Sequence, residues 1–175
     1  GRYIAYRRQL TPGYESDRFT LVVYERRTRA IRVLTESFDN WVTAFEWLPD
    51  SSGIVFKADE QGQTPLYRVR LAGGAPEKVA EFAQLQDFRL AKDGHAAYAI
   101  RTAVGSPHEL WRLDLTGASR PTRLTTHNKA FEDEVDVRPA WTTWVDGARG
   151  TKQQVFLVKP HDFDPKKKYP VIINV

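Results

Sequence analysis

The 175 residues contain no cysteine. A disulfide framework, a thiolate metal site and a thiol nucleophile are therefore all excluded for this chain. The absence fits the cytosol and an oxidising compartment equally well. Long apolar runs are missing too. The longest, Leu21-Val22-Val23 and Val171-Ile172-Ile173, fall far short of the roughly 20 residues that a bilayer-spanning helix needs. No charged, then apolar, then small-residue leader opens the chain, which starts on the strand-like Gly1-Arg-Tyr-Ile-Ala-Tyr6; a leader lying upstream or already removed is compatible with this. A strong charge of one sign is also lacking. The 26 basic and 22 acidic residues leave +4, which permits a nucleic-acid partner without arguing for one. What is present is enough apolar material for a core, 41% hydrophobic and 12% aromatic, so wholesale disorder is not expected. Ten prolines and eleven glycines scattered among short apolar runs point to many turns. The length suits one domain or one and a fraction.

A repeat organises most of the chain. Phe19-Thr-Leu-Val-Val-Tyr24 leads to Arg32-Val-Leu-Thr35, Thr64-Pro-Leu-Tyr-Arg-Val69 to Lys78-Val-Ala80, and His108-Glu-Leu-Trp-Arg-Leu113 to Arg123-Leu-Thr125. Leu21, Leu66 and Leu110 mark the period, as do Leu34, Val79 and Leu124. Ahead of each copy runs another short element: Gly1–Tyr6, Ser52-Gly-Ile-Val-Phe56 and Asp93-Gly-His-Ala-Ala-Tyr98. Within each unit apolar residues alternate with the two-residue period of a half-buried strand. Trp41, Phe45 and Trp47 share one parity, which predicts three aromatics on one side of one strand. Gly73-Gly74 and Thr116-Gly117 fit hairpin turns, where a positive φ suits glycine.

Each unit thus reads as about four short antiparallel strands. A four-stranded unit with a period near 45 residues matches a β-propeller blade. A single small sheet with two apolar faces must stack on its neighbours, so the aromatics are expected as packing between blades rather than as a ligand box. The expected fold class is mainly β: about three blades of an incomplete propeller over residues 1–129, the first starting part-way through. Propellers close with 4–8 blades, so the chain reads as a piece of something larger.

After His127-Asn128 the period is lost. The acidic Glu132-Asp-Glu-Val-Asp136 precedes Arg138-Pro-Ala-Trp-Thr-Thr-Trp-Val145, the turn Asp146-Gly147, a strand from 153 to 159 and a polar loop closed by Pro170. The β-branched run from 171 to 175 is expected as a strand buried on both faces of an α/β sheet. A hairpin, a loop and a buried strand would open a second domain near residue 130.

Leu124-Thr-Thr-His-Asn128, Asp146-Gly147, Val158-Lys-Pro160, Phe163-Asp-Pro165 and Lys168-Tyr-Pro-Val-Ile172 together resemble the join between propeller and α/β-hydrolase domain in the prolyl oligopeptidase family. The dipeptidyl-peptidase and acylaminoacyl-peptidase branch is the best match, and Pro12-Gly-Tyr-Glu-Ser-Asp-Arg-Phe19 is similar to its blades. The blade motifs are shared by many propellers; Lys-Lys-Tyr-Pro-Val-Ile-Ile after Phe-Asp-Pro is far more specific. By this resemblance residues 130–175 are the linker and opening strands of the peptidase domain. The His-Gly-Gly-type loop, the Gly-x-Ser-x-Gly serine, the aspartate and the histidine would follow beyond Val175. No catalytic residue is then expected in this chain, which alone is predicted inactive.

The residues present agree with that expectation. Ser16, Ser37, Ser51, Ser52, Ser106 and Ser119 read as turn formers, and none lies in a Gly-x-Ser-x-Gly elbow. His95, His108, His127 and His161 read as ordinary surface or hydrogen-bonded histidines. Without cysteine or a His-Glu-x-x-His helix, no metal site and no cofactor is expected. The acidic run 132–136 and Lys166-Lys167-Lys168 read as solvated charge. The Arg26, Arg27, Arg29 and Arg32 cluster lacks a helix or an aromatic platform for nucleic acid. Tyr14-Glu15-Ser16-Asp17-Arg18 lies in a long loop between strands, where propeller contacts tend to arise. The resemblance gives Glu15 and Asp17 a candidate role in holding the α-amino group of a substrate; the competing reading is a solvated or bracing loop.

The resemblance therefore implies a serine exopeptidase whose propeller admits short peptides and whose reaction runs through an acyl-enzyme near the substrate N-terminus. Short peptides and the rest of its own chain are the expected partners, with neither nucleic acid nor membrane; homo-oligomerisation is left open. A periplasmic or secreted location is favoured by the resemblance alone. The alternative is a non-catalytic propeller scaffold for protein interactions.

Overall fold

Alternating apolar residues bounded by turns form thirteen strands among the described residues of a computed structural model, which cover 1–81, 83–117 and 120–174. Phe82, Ala118, Ser119 and Val175, with the turn reading of Ser119 and the final residue of the closing run, lie outside them. The chain divides into two compact units: Gly1–Ala103 with Pro107–His127, and Val104–Ser106 with Asn128–Val175. No helix among the described residues is long and apolar enough to cross a membrane.

The first unit holds three antiparallel sheets. One has β1 (Tyr3–Arg8), β2 (Thr20–Glu25) and β3 (Ile31–Val33), in that order. The second has β4 (Val42–Trp47), β5 (Gly53–Ala58), β6 (Leu66–Arg70) and β7 (Glu77–Ala80). The third has β8 (Gln84–Leu90), β9 (Ala96–Ala103), β10 (Ser106–Asp114) and β11 (Thr122–Arg123). These are two four-stranded blades and a three-stranded one.

Stacking follows from the pleat. Along β5, Ile54, Phe56 and Ala58 join a core with Leu21, Val23, Leu34 and Val42. The intervening Val55 joins a different core, with Leu66, Phe88, Ala99 and Leu113. The middle sheet is thus apolar on both faces and is buried by a neighbour on each. At roughly 25 cal/mol per Å² of apolar surface removed from water, this packing is the main term holding the sheets together. Phe38 meets Phe56 and Tyr67 edge-on, at 5.3 and 4.8 Å between ring centroids.

The aromatic parity along β4 is broken. Val42 faces Ala58 and Ala44 faces Lys57, so Thr43 is an extra residue in a β-bulge. One added residue reverses the alternation. Phe45 and Trp47 pack on the core, whereas Trp41 is exposed ahead of the strand and meets Phe19 edge-on at 5.6 Å. Gly53 opens β5 where a Cβ would come within 2.5 Å of the Val69 carbonyl oxygen, so any other residue would force the two strands apart.

In the second unit, β12 (Trp141–Asp146) pairs with β13 (Lys152–Leu157), joined by a 3₁₀ turn at Ala148–Gly150. The acidic segment is partly helical, α1 (Lys129–Glu134), with Lys129 paired to Asp133 one turn on. Such an i,i+4 pair supports a short exposed helix that a reading by charge alone misses. The run expected as a buried closing strand is neither: residues 171–174 belong to no ladder, and Ile172 is 96% exposed. No described strand pairs with it, and β-branched residues form a strand only against a partner.

Candidate functional site

Residues 9–19 link β1 to β2 and carry the candidate acidic pair. The loop is closed from inside. One carboxylate oxygen of Asp17, Oδ2, accepts the backbone N–H groups of Leu10 at 2.6 Å and Thr11 at 2.7 Å. Gln9 Nε2 donates to the carbonyls of Asp17 at 2.6 Å and Tyr14 at 3.3 Å. Arg18 anchors the outgoing end, donating through Nη1 to the Phe38 carbonyl and through Nη2 to that of Glu36. The Thr11 N–H holds the Asp17 carboxyl below the usual carboxylate range, with help from Leu10 and Arg18 and against partial desolvation.

The two acidic residues therefore do different things. Asp17 shapes its own loop. Glu15 is exposed at the tip beside Tyr14, and among the described residues its carboxylate has no hydrogen bond or ion pair. What the loop offers chemically is one exposed carboxylate on a braced turn, suited to a cationic group.

The other residues singled out by sequence disperse. Ser16, Ser37 and Ser51 lie in turns or bends, and Ser52 Oγ donates to Asp50 at 2.7 Å. Ser106 departs from expectation: it opens β10, because the two-residue turn Val104-Gly105, with Gly105 at φ +77°, lets pairing resume at once. His161 joins Asp136 through Nδ1 and Asp162 through Nε2, the latter at 3.1 Å, while Arg138 pairs with the same Asp136 at 2.7 Å. Asp164 takes the Lys166 N–H at 2.9 Å, and its own N–H donates to the Tyr169 hydroxyl at 2.9 Å, so the lysine run sits on an ordered turn.

Two features escaped the sequence reading. A cavity of about 790 Å³ lies between the β4–β5 and β8–β9 turns, lined by Arg68, Arg70, Lys92 and His95 among others. The second is a cationic tie between sheets. Arg7 Nη1 donates to the carbonyls of Val42 at 3.0 Å and Thr43 at 2.6 Å, at the bulge in β4. Lys57 Nζ donates to those of Leu85 at 3.1 Å and Gln86, at the matching bulge in β8. A bulge turns carbonyls out of the ladder, and a cation from the preceding sheet satisfies them. The available signal was a basic residue at the same place in an otherwise apolar strand of two successive repeats.

No protein-family model matches the chain. A dipeptidyl-peptidase 5 of Porphyromonas gingivalis is 32% identical over 99% of this chain and 25% of its own length. A dipeptidyl-peptidase 5 of Schizosaccharomyces pombe is 23% identical over 100% of the chain and 25% of its own length. Among solved structures, an acylaminoacyl peptidase bound to a chloromethyl ketone superposes with a TM-score of 0.77 over 97% of this chain and 25% of its own, at 15% identity. The β-propeller domain of the trilobed protease from Pyrococcus furiosus matches 73% of this chain and 36% of its own, with a TM-score of 0.56 at 17% identity. The chain thus spans about a quarter of the length of the curated relatives it matches.

Proposed function

We propose, from a chain that belongs to the prolyl oligopeptidase family of peptidases, that these residues are the propeller portion of a serine exopeptidase that releases dipeptides from short peptides. The observation that carries the reading is the end-to-end match at 32% identity to a dipeptidyl peptidase, on a chain whose first unit is built of stacked blades. In this reading residues 1–129 are blades, and residues 130–175 are the linker and opening strands of an α/β-hydrolase domain. The nucleophile, base and orienting carboxylate lie outside the chain, and the reaction proceeds through an acyl-enzyme on the serine.

The blades restrict entry to short peptides. The exposed Glu15 carboxylate meets the α-amino group of the substrate, and Asp17 holds the turn that presents it. A charge-assisted hydrogen bond of that kind contributes roughly 1.5–3 kcal/mol. The enzyme works in the periplasm or outside the cell.

The test is to treat the full-length protein with a fluorophosphonate probe and map the adduct. A single labelled serine outside residues 1–175, with peptidase activity lost in step, is the expected result. A full-length protein that folds yet takes no label would leave the propeller as a scaffold.

A further inference from the structure

Arg68 and Arg70 stand two apart on β6, so the pleat sends both side chains to one face. That face is the one turned to the third sheet. Arg68 is paired in the ladder with Val55, which is buried in the core shared with that sheet, and its Nη2 donates to the carbonyl of Leu115, just past β10, at 3.1 Å. The β8–β9 turn brings Lys92 and His95 to the same place. Together these four basic residues line the cavity of about 790 Å³ between the two sheets.

Two carboxylates line it as well, and each is engaged within its own turn. Asp50 Oδ1 accepts the Ser52 N–H at 3.0 Å and the Ser52 hydroxyl at 2.7 Å, and Asp93 Oδ1 accepts the His95 N–H at 2.9 Å. The cations are less well served. Among the described residues no carboxylate comes within ion-pair distance of Arg68 or Lys92, and Arg70 has only the exposed Glu77 at 3.8 Å. Arg68 is half-buried, and its Nε is out of contact with solvent and has no partner. A guanidinium in that state, tied at one nitrogen, gains most from an oxyanion that replaces the water it has lost.

A guanidinium fork and an ammonium that converge from two sheets suit a phosphoryl group, which offers several oxygens at once. The volume falls in the range of roughly 300–1,000 Å³ typical of small-molecule sites and far exceeds that of one phosphate. Leu48 and Pro49 give the cavity an apolar wall. We infer that this cavity binds a small organic phosphate, with Arg68, Arg70 and Lys92 holding the phosphoryl group and the apolar wall taking the rest of the molecule. The site is distinct from the loop that carries Glu15. Arg7 and Phe19, at the loop end of the first sheet, meet Val42 at the start of β4, whereas the cavity lies where β4 gives way to β5. Neither peptidase chemistry nor the role of Glu15 therefore enters its readouts. Because the cations come from β6 and from the β8–β9 turn, a bound phosphate bridges the second and third sheets and stabilises the folded protein.

Calorimetric titration of the full-length protein with phenyl phosphate, in chloride buffer at constant ionic strength, tests the site. Saturable one-to-one binding is expected, with a melting temperature that rises as the site fills. Lys92→Gln and Arg68→Gln should each weaken binding by roughly tenfold or more, and Glu15→Gln should leave it unchanged. Arg68→Gln also gives up the bond to Leu115, so Lys92→Gln, on an exposed turn, is the decisive variant. No saturation, or equal affinity in the parent protein and Lys92→Gln, would overturn the inference. Benzoate presents a carboxylate on the same ring and should bind more weakly; equal or tighter binding of benzoate would overturn the assignment to phosphate.

Discussion

The first and second joints between sheets share a frame and differ in filling. Between the first and second sheets the core is aromatic, with Phe38, Phe56 and Tyr67 in contact and Tyr3 stacked on Trp47 at 6.4 Å. Between the second and third it is mostly aliphatic around the ring of Phe88, and Ala97 and Ala99 stand where the preceding sheet has Ile54 and Phe56. Yet each has a bulge at the same step of its first strand and a cation bridging the carbonyls that the bulge turns out. The polar tie recurs while the side chains around it are exchanged. Packing is satisfied by many combinations of similar total volume, whereas a pair of orphaned carbonyls needs a donor at one place.

That comparison is sharpened first by cutting into the packing. Phe56→Ala should cost about 3–5 kcal/mol by opening a cavity in the aromatic joint. The converse, Ala99→Phe in the aliphatic joint, should cost about 1–3 kcal/mol through overpacking. Denaturant melts of the full-length protein measure both, and similar small losses at the two sites would erase the distinction between the joints. Removing the tie comes next. Lys57→Met keeps the stem but leaves two carbonyls without their donor, with an expected loss of about 1–3 kcal/mol. Arg7→Met should cost less, since Arg7 is exposed and water replaces it.

The aromatic joint should also carry an alkaline signature that the aliphatic one lacks. Burial, then the hydrogen bond to Glu60 at 2.6 Å, pushes the Tyr67 hydroxyl up to about 12. Because the folded-state value is raised, the contribution is complete below the ordinary phenol range near 10 and is lost as pH rises towards 12. Stability measured from pH 9 to 12 should fall, and Tyr67→Phe should flatten that part of the curve; an unchanged slope would remove Tyr67 from the account. The smallest effect expected is at the loop. Asp17→Asn should speed amide exchange at Leu10 and Thr11 with little change in overall melting, and it should abolish any loosening of those amides as pH drops below the carboxylate range, where a depressed pKa makes the contribution fade.

Much of this was legible in the sequence because it depends on period. Leu21, Leu66 and Leu110 recur at the blade spacing, and alternation within β5 and β6 places alternate residues on opposite faces. What escaped depends on one residue out of step. The extra Thr43 displaced Trp41 from the side that Phe45 and Trp47 share, and alternation carries no mark of a bulge. The clamp was hidden for the same reason: Arg7 and Lys57 look like ordinary surface charges until the carbonyls of the next sheet are in place. At the candidate site, the loop was legible but the division of roles was not. Asp17 turns inward onto the backbone N–H groups of Leu10 and Thr11 at the start of the loop, while Glu15 stays at the tip, and composition does not distinguish two carboxylates in one loop.

The most direct test of the central claim is to incubate the full-length protein with a length series of peptides, each with a free or an acetylated N-terminus, and to identify the products by mass. The account predicts N-terminal dipeptides from short free peptides, a rate that falls as the peptide lengthens, and weaker turnover when Glu15→Gln removes the carboxylate proposed to meet the amine. Cleavage at internal bonds of long or folded substrates, or no hydrolysis of any peptide, would contradict it.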